Sequence, residues 1–275
     1  MEAKHLLLGA LALCILISCN KKSKEPDSSK APESSHSVGT ITDICGNTYN
    51  IIKIDKMYLL AENMRCNKYD TQSELAGVTL TESHAKEVYN PYYTDASNKD
   101  LWNEALNYTK NISSDQAMYL GYLYDWAAAV GLSSEEESLK QVNNFKNSRQ
   151  GICPNGWHIP TSDEWLFLVG AIAILEKTKD TSKLFKVLKT KCGWIDDDEY
   201  PGLDSYGFSA LPAGVLTYDG LQQMGFTTLY WSSTPAQEPD ILYSYSCSLW
   251  SDGKDVYYEW PVGKTCAISV RCLKN

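Results

Sequence analysis

The sequence has no Cys-x-x-Cys pair, no His-Glu-x-x-His, no Gly-x-Ser-x-Gly and no Walker-type phosphate loop. These absences remove the signatures of zinc ribbons, thioredoxin-like redox sites, zinc proteases, nucleophile-elbow hydrolases and P-loop enzymes. Basic residues are also short: Lys and Arg number 25 against 34 Asp and Glu, and the formal charge is −9. Neutralising phosphates or an anionic bilayer needs clustered Lys and Arg, and none cluster beyond Lys21 and Lys22, so no nucleic-acid partner is expected. The apolar run Leu6 to Ile17 is shorter than the ~20 residues that cross a bilayer core of roughly 30 Å.

What is present begins at the N-terminus. Lys4 and His5 lead into that run, which has the length of a signal-peptide core and ends in Leu16-Ile17-Ser18-Cys19. This ending resembles the bacterial lipobox. The expectation is a signal peptide over 1–18, cleavage before Cys19 and lipid (palmitate) attachment there; an ordinary signal peptide with an incidental cysteine is the competing reading. Residues 19–39 are rich in Ser, Lys, Glu and Pro and almost without apolar side chains, so they read as a flexible tether. The protein is then expected to be lipid-anchored to a bacterial membrane, most simply the outer membrane, facing the periplasm or the cell surface.

Nine cysteines occur. With Cys14 lost and Cys19 lipidated, seven remain for an oxidising compartment. The favoured pairings are Cys153 with Cys272, Cys45 with Cys66, and Cys247 with Cys266, leaving Cys192 unpaired. In the chain-entropy model the first closes a loop worth about 5 kcal/mol and each of the others about 3 kcal/mol.

Along the chain, Thr48–Ile54 and Met57–Ala61 are β-prone around an Asp55-Lys56 turn. Residues 67–150 read as polar and more helical, with a capping box at Ser134-x-x-Glu137 and a short apolar helix over Tyr122–Val130 stopped by Gly131. A second capping box, Thr161-x-x-Glu164, opens a helix carrying Trp165, Leu168, Val169, Ile172 and Leu175 at helical spacing. Another helix is expected over Thr181–Cys192, stopped by Gly193. Beyond it the pattern turns to strands: Phe208–Leu216, Leu229–Ser233, Leu242–Trp250, Val256–Trp260 and Ala267–Leu273, with turns at Asp219-Gly220 and Asp252-Gly253. In the third of these, Tyr243, Tyr245, Cys247 and Leu249 alternate with Ser244, Ser246 and Ser248, which predicts a sheet with the serine face in solvent. Helices first and a sheet afterwards give an α+β class.

Eight landmarks occur in order: Asp43-x-x-Gly-Asn-x-Tyr49, Ala61-Glu-Asn-Met64, Gly121-x-Leu-Tyr-x-Trp126, Cys153-Pro-x-Gly-Trp-His-x-Pro160, Asp163-Glu-Trp165, Gly207-Phe-Ser-Ala-Leu-Pro212, Tyr230-Trp-Ser-Ser-Thr234 and Ser269-Val-Arg-Cys272. Together they resemble the Fibrobacter succinogenes major paralogous domain, over a single domain of residues 40–275. The resemblance implies a C-type lectin-like fold, with two helices packed on small antiparallel sheets, chain ends brought together, and a helical variable insertion at 67–150. It also supports the pairing of Cys153 with Cys272.

Calcium-dependent lectins carry a Glu-Pro-Asn or Gln-Pro-Asp loop and a later Trp-Asn-Asp. Glu238-Pro-Asp240 and Trp250-Ser-Asp252 match them in part, so Glu238, Asp240 and Asp252 are the candidate ligands of Ca²⁺, a cation that takes six to eight oxygens. Plain turn chemistry competes with that reading at Asp252. The run Asp196-Asp-Asp-Glu199 reads as a solvated acidic turn. His158 has no nucleophile and orienting group marked beside it and reads as structural. The 18 tyrosines and 8 tryptophans suit stacking on sugars or proteins, and Tyr92, Tyr93, Tyr218, Tyr257 and Tyr258 fall in loops or near hairpin tips. The expected function is a membrane-anchored, non-enzymatic binding or adhesion module for an extracytoplasmic glycan or protein. The alternatives are a structural or assembly component of the cell surface, and an enzyme on the fold of formylglycine-generating enzymes.

Overall fold

The computed structural model describes residues 36–70, 120–132, 148–195, 201–236, 242–251 and 256–275. Its elements, in order, are β1 (Ser37–Thr42), β2 (Thr48–Ile54), β3 (Met57–Leu60), α1 (Trp126–Val130), β4 (Trp157–His158), α2 (Ser162–Leu175), α3 (Thr181–Leu188), β5 (Val215–Thr217), β6 (Gly220–Gln222), β7 (Thr227–Pro235), β8 (Tyr243–Trp250), β9 (Val256–Gly263) and β10 (Leu273–Lys274). They form sheets of order β1-β2-β3-β10-β4, β5-β6 and β7-β8-β9, and every strand pair in them is antiparallel. The class is α+β. No helix among the described residues is long and apolar enough to cross a membrane.

The helices follow from their caps. Asp125 accepts from the Ala128 amide at the start of α1, and Gly131 ends it in the left-handed region at φ 66°. Around α2 the capping box is complete in both directions: Thr161 Oγ1 accepts from the Glu164 amide, and the Thr161 amide donates to Glu164. Trp165, Leu168, Val169 and Ile172 then form its buried stripe. α3 ends at Leu188, short of the Cys192 expected from sequence. Lys189 leaves the helix in extended conformation and pairs with Ala210, so the chain turns into a β-bridge before Gly193 is reached.

The N-terminal strands and the C-terminal strand share one sheet, because Leu273 sits between Leu59 and His158. The Cys153–Cys272 disulfide fastens that junction, and Cys45–Cys66 closes the loop before it. Two large cores result. One gathers around Tyr124, Trp126, Trp157 and Trp231; the other lies between α2, α3 and the sheets, around Trp165, Phe185, Tyr230 and Leu249.

Several strand expectations need correction. β1 starts at Ser37, inside the stretch read as tether, since it hydrogen-bonds to β2 while staying mostly exposed. Of Phe208–Leu216 only Val215 onwards is strand, because Ser209 at φ 52° and Gly214 at φ 72° bend the chain. Of Ala267–Leu273, the first three residues make single bridges to different partners, Ala267 to Leu216, Ile268 to Tyr124 and Ser269 to Tyr230; residues 270–272 are outside any strand, and only Leu273 belongs to β10. The predicted exposure of β8 is reversed at its start. Ser244, Ser246 and Ser248 are fully buried and Tyr243 is exposed. Their face covers the first core, opposite Trp231 and Leu229 of β7, whereas Cys247 and Leu249 enter the second core. That two-sided burial also explains why Cys247 and Cys266 do not pair. Cys247 points into the second core while Cys266 packs against the first, so the two stay thiols; Cys192 likewise forms no disulfide. The 67–150 region is described only at 67–70, 120–132 and 148–150; the Ser134-x-x-Glu137 box lies outside the described residues.

Candidate functional site

The residues chosen from sequence scatter. Cys19, Tyr92, Tyr93, Glu238, Asp240, Asp252 and the run 196–199 lie outside the described residues. Tyr218 stands 98% exposed at the tip of the β5–β6 hairpin. Tyr258 is half-buried against the α2–α3 core. Tyr257 alone joins an aromatic cluster, with Trp250 and Trp260.

A β-bulge builds this cluster. Ser246 of β8 opposes Trp260 of β9, and Ser248 opposes Tyr257, so two steps along β8 match three along β9. Regular alternation would send Tyr257 and Trp260 to opposite faces. The extra residue in β9 turns both onto the face of Ser246, Ser248 and Trp250. Tyr257 and Trp260 are each 39% exposed, with ring centroids 5.1 Å apart, and Trp250 meets Trp260 edge-on at 5.9 Å. The small serines leave room for the rings above them. Ser246 Oγ donates to the Trp260 carbonyl at 3.0 Å, and Trp250 Nε1 donates to Ser248 Oγ at 3.3 Å. The sequence reading missed Trp250 and Trp260. The available signal was Pro261, whose missing amide hydrogen confines β9 to a sheet edge and leaves its outer rings open.

Apart from the rings lies an open groove of about 840 Å³ beside α2, lined by Met57, Tyr58, Leu166, Phe167 and Ile174 and rimmed by Lys56, Lys274 and Glu164. Phe167 and Ile174 are 68% and 78% exposed. Behind the rim, His158 Nε2 lies 2.9 Å from Glu164 Oε1 and Nδ1 lies 2.6 Å from Asn275 Oδ1. Burial pushes the imidazole pKa down, but the bonds to Glu164 and Asn275 and the Glu164 charge outweigh it, and the net shift is upward. For Glu164, burial pushes up, and His158 and the Thr161 amide more than reverse it. Both ring nitrogens face oxygens, so the imidazolium satisfies both.

Asp43, Cys45 and Cys66 bring a carboxylate and two sulfurs within 4.8 Å of one another. The sulfurs are consumed in the disulfide. The carboxylate accepts from the Cys45 and Asn47 amides, Asn47 Nδ2 and Tyr49 Oη. The group is therefore a stapled turn rather than a cation site. Burial pushes the Cys247 thiol up to about 12 and raises that of Cys266, so neither offers a ready thiolate.

No curated protein and no solved structure matches the chain. A family model does: that of the Fibrobacter succinogenes major domain matches residues 52–274, which takes in the end of β2, all of β3 through β10, the Cys153–Cys272 disulfide and the whole aromatic cluster. By that match the chain belongs to the Fibrobacter succinogenes major domain family.

Proposed function

We propose that the protein is an exported bacterial lipoprotein, held at the outer membrane through lipid on Cys19, whose C-type lectin-like domain is a non-enzymatic binding or adhesion module. Its ligand class is a glycan or a protein outside the cytoplasm. The observation that carries this reading is the cluster of the exposed Tyr257 and Trp260 rings on the edge strand β9, with the half-buried Trp250 of β8 beside them. Tyr and Trp combine a large apolar face with a polar handle and are the residues most often found at binding hot spots. The two disulfides suit an oxidising compartment, and the lipobox-like Leu16-Ile17-Ser18-Cys19 supports the anchor. The test is binding of the detergent-solubilised full chain to bacterial envelope fractions. Saturable binding that is removed by periodate or by protease treatment of the fraction supports the reading and sorts glycan from protein. Absence of saturable binding refutes it.

One observation favours a second reading, a structural or assembly component. α2 leaves Phe167 and Ile174 in solvent, an unusual arrangement for a helix whose other face is core. Under this reading the full chain self-associates without any glycan, and Phe167→Glu returns it to a monomer by sedimentation.

A further inference from the structure

The ring cluster has dimensions that discriminate between ligands. Aromatic cages for quaternary ammonium groups hold the cation between ring faces. Here the centroids lie 5.1 and 5.9 Å apart, so the rings touch each other and leave no room for such a group between them. A ligand must lie across their outer faces. Those faces are tilted, Tyr257 to Trp260 by 51° and Trp250 to Trp260 by 68°. A corrugated surface fits a single twisted chain and not a flat crystalline one. The centroid spacing is comparable to the repeat of one equatorially linked hexopyranose, whose axial C–H groups form the apolar face that stacks on a π-system.

The charge around the rings narrows the class further. Glu259, between Tyr257 and Trp260 in sequence, is exposed, and the chain carries a formal charge of −9. A uronate or sulfated chain would approach a net-negative protein, which disfavours it against a neutral one. The serine floor has no carboxylate, and its hydroxyls are engaged with the Trp260 carbonyl and the Trp250 indole. That floor fixes the rings and supplies nothing that a bridging cation needs.

We infer that Trp250, Tyr257 and Trp260 form a calcium-independent binding site for a neutral, equatorially linked hexopyranose chain; this rests on the binding-module reading above. The experiment is calorimetry on the full chain in detergent with a β-1,4-linked glucose hexasaccharide, its N-acetylglucosamine counterpart, and polygalacturonate. Each is run in Ca²⁺ and in EDTA. At least one neutral hexasaccharide binds equally in both buffers, and polygalacturonate does not bind. Trp260→Ala and Tyr257→Ala each weaken binding by roughly tenfold, while Trp260→Phe stays within about threefold because it keeps a stacking face. Thermal unfolding of each variant confirms that the domain is intact, and Tyr257→Ala serves if Trp260→Ala unfolds. Failure of both neutral hexasaccharides, loss of binding in EDTA, or indifference to both alanine variants overturns the inference. If the hexasaccharides fail while envelope binding persists, the inference falls and the broader reading stands; if both fail, both fall.

Discussion

Two N–H groups of Arg271 donate to a single oxygen, Asn63 Oδ1, Nη2 at 2.6 Å and Nε at 3.2 Å. The remaining donors reach the carbonyls of Leu60, Ala61 and Phe208, and the guanidinium lies 4.4 Å from the Phe208 ring and 5.2 Å from that of Tyr230. The side chain is essentially fully buried, and its hydrogen-bond acceptors are all neutral. Four of the ordered sequence landmarks therefore meet at one cation: the Asn63, Phe208, Tyr230 and Arg271 motifs.

Removing that cation should unfold much of the domain. Arg271→Met deletes the donor to the Leu60, Ala61 and Phe208 carbonyls and to Asn63 Oδ1, at a cost of about 3–5 kcal/mol in total. Asn63→Ala should cost less, about 2 kcal/mol, because the carbonyls still accept from the guanidinium. Urea titration of both variants checks the order. Equal midpoints for Arg271→Met and the parent chain would show that the network contributes nothing net.

The motifs were legible in sequence as an ordered set, but their purpose was not. Asn63 and Arg271 are 208 positions apart, and no local pattern joins them. Local signals did well where local physics decides: the Thr161–Glu164 box, the Gly131 stop and the β2–β3 hairpin all follow from nearest neighbours. β1 escaped because an exposed strand has no apolar alternation to read. The serine face of β8 misled because both sides of that strand are covered, a tertiary circumstance. The aromatic cluster depends on a bulge, and a one-residue shift in register leaves no mark in composition.

The cysteines should separate into three behaviours. Peptide mapping without reductant should find Cys45 joined to Cys66 and Cys153 to Cys272. Iodoacetamide should label the partly exposed Cys192 in the native protein, Cys266 more slowly because burial raises its thiol, and Cys247 only after denaturation. Burial both shields the Cys247 sulfur and holds its thiol protonated, with a pKa of about 12. Replacing Cys153 and Cys272 together by Ala should cost about 2–5 kcal/mol, since their bond spans 119 residues of separation. A Cys247–Cys266 peptide in the map would contradict the two-core arrangement.

The His158–Glu164 pair should make stability depend on pH in a definite direction. The histidine is raised from 6.5, so its contribution is complete below that value and is lost as pH rises through the higher folded pKa. The glutamate is lowered from 4.5, so its contribution is present above that value and is lost as pH falls through the depressed one. The pair is therefore strongest between about 4.5 and 6.5. Melting temperatures of the parent chain and His158→Gln, taken from pH 4 to 9, should differ most in that window and converge toward pH 9. A constant difference across the range would show that His158 acts through packing alone.

The membrane anchor should be separable from the fold. If Cys19 carries two or three acyl chains, at about 0.8 kcal/mol per buried methylene the attachment is in effect permanent. Cys19 lies before the first strand and outside both disulfides. Cys19→Ala should therefore abolish labelling by an alkyne fatty acid and move the protein from the detergent phase to the aqueous phase. The melting temperature and the disulfide map should not change. Persistent fatty-acid label in the variant would place the lipid elsewhere. A wild-type chain that takes up no label would point instead to an ordinary signal peptide, and the domain would then have to reach its surface by binding alone.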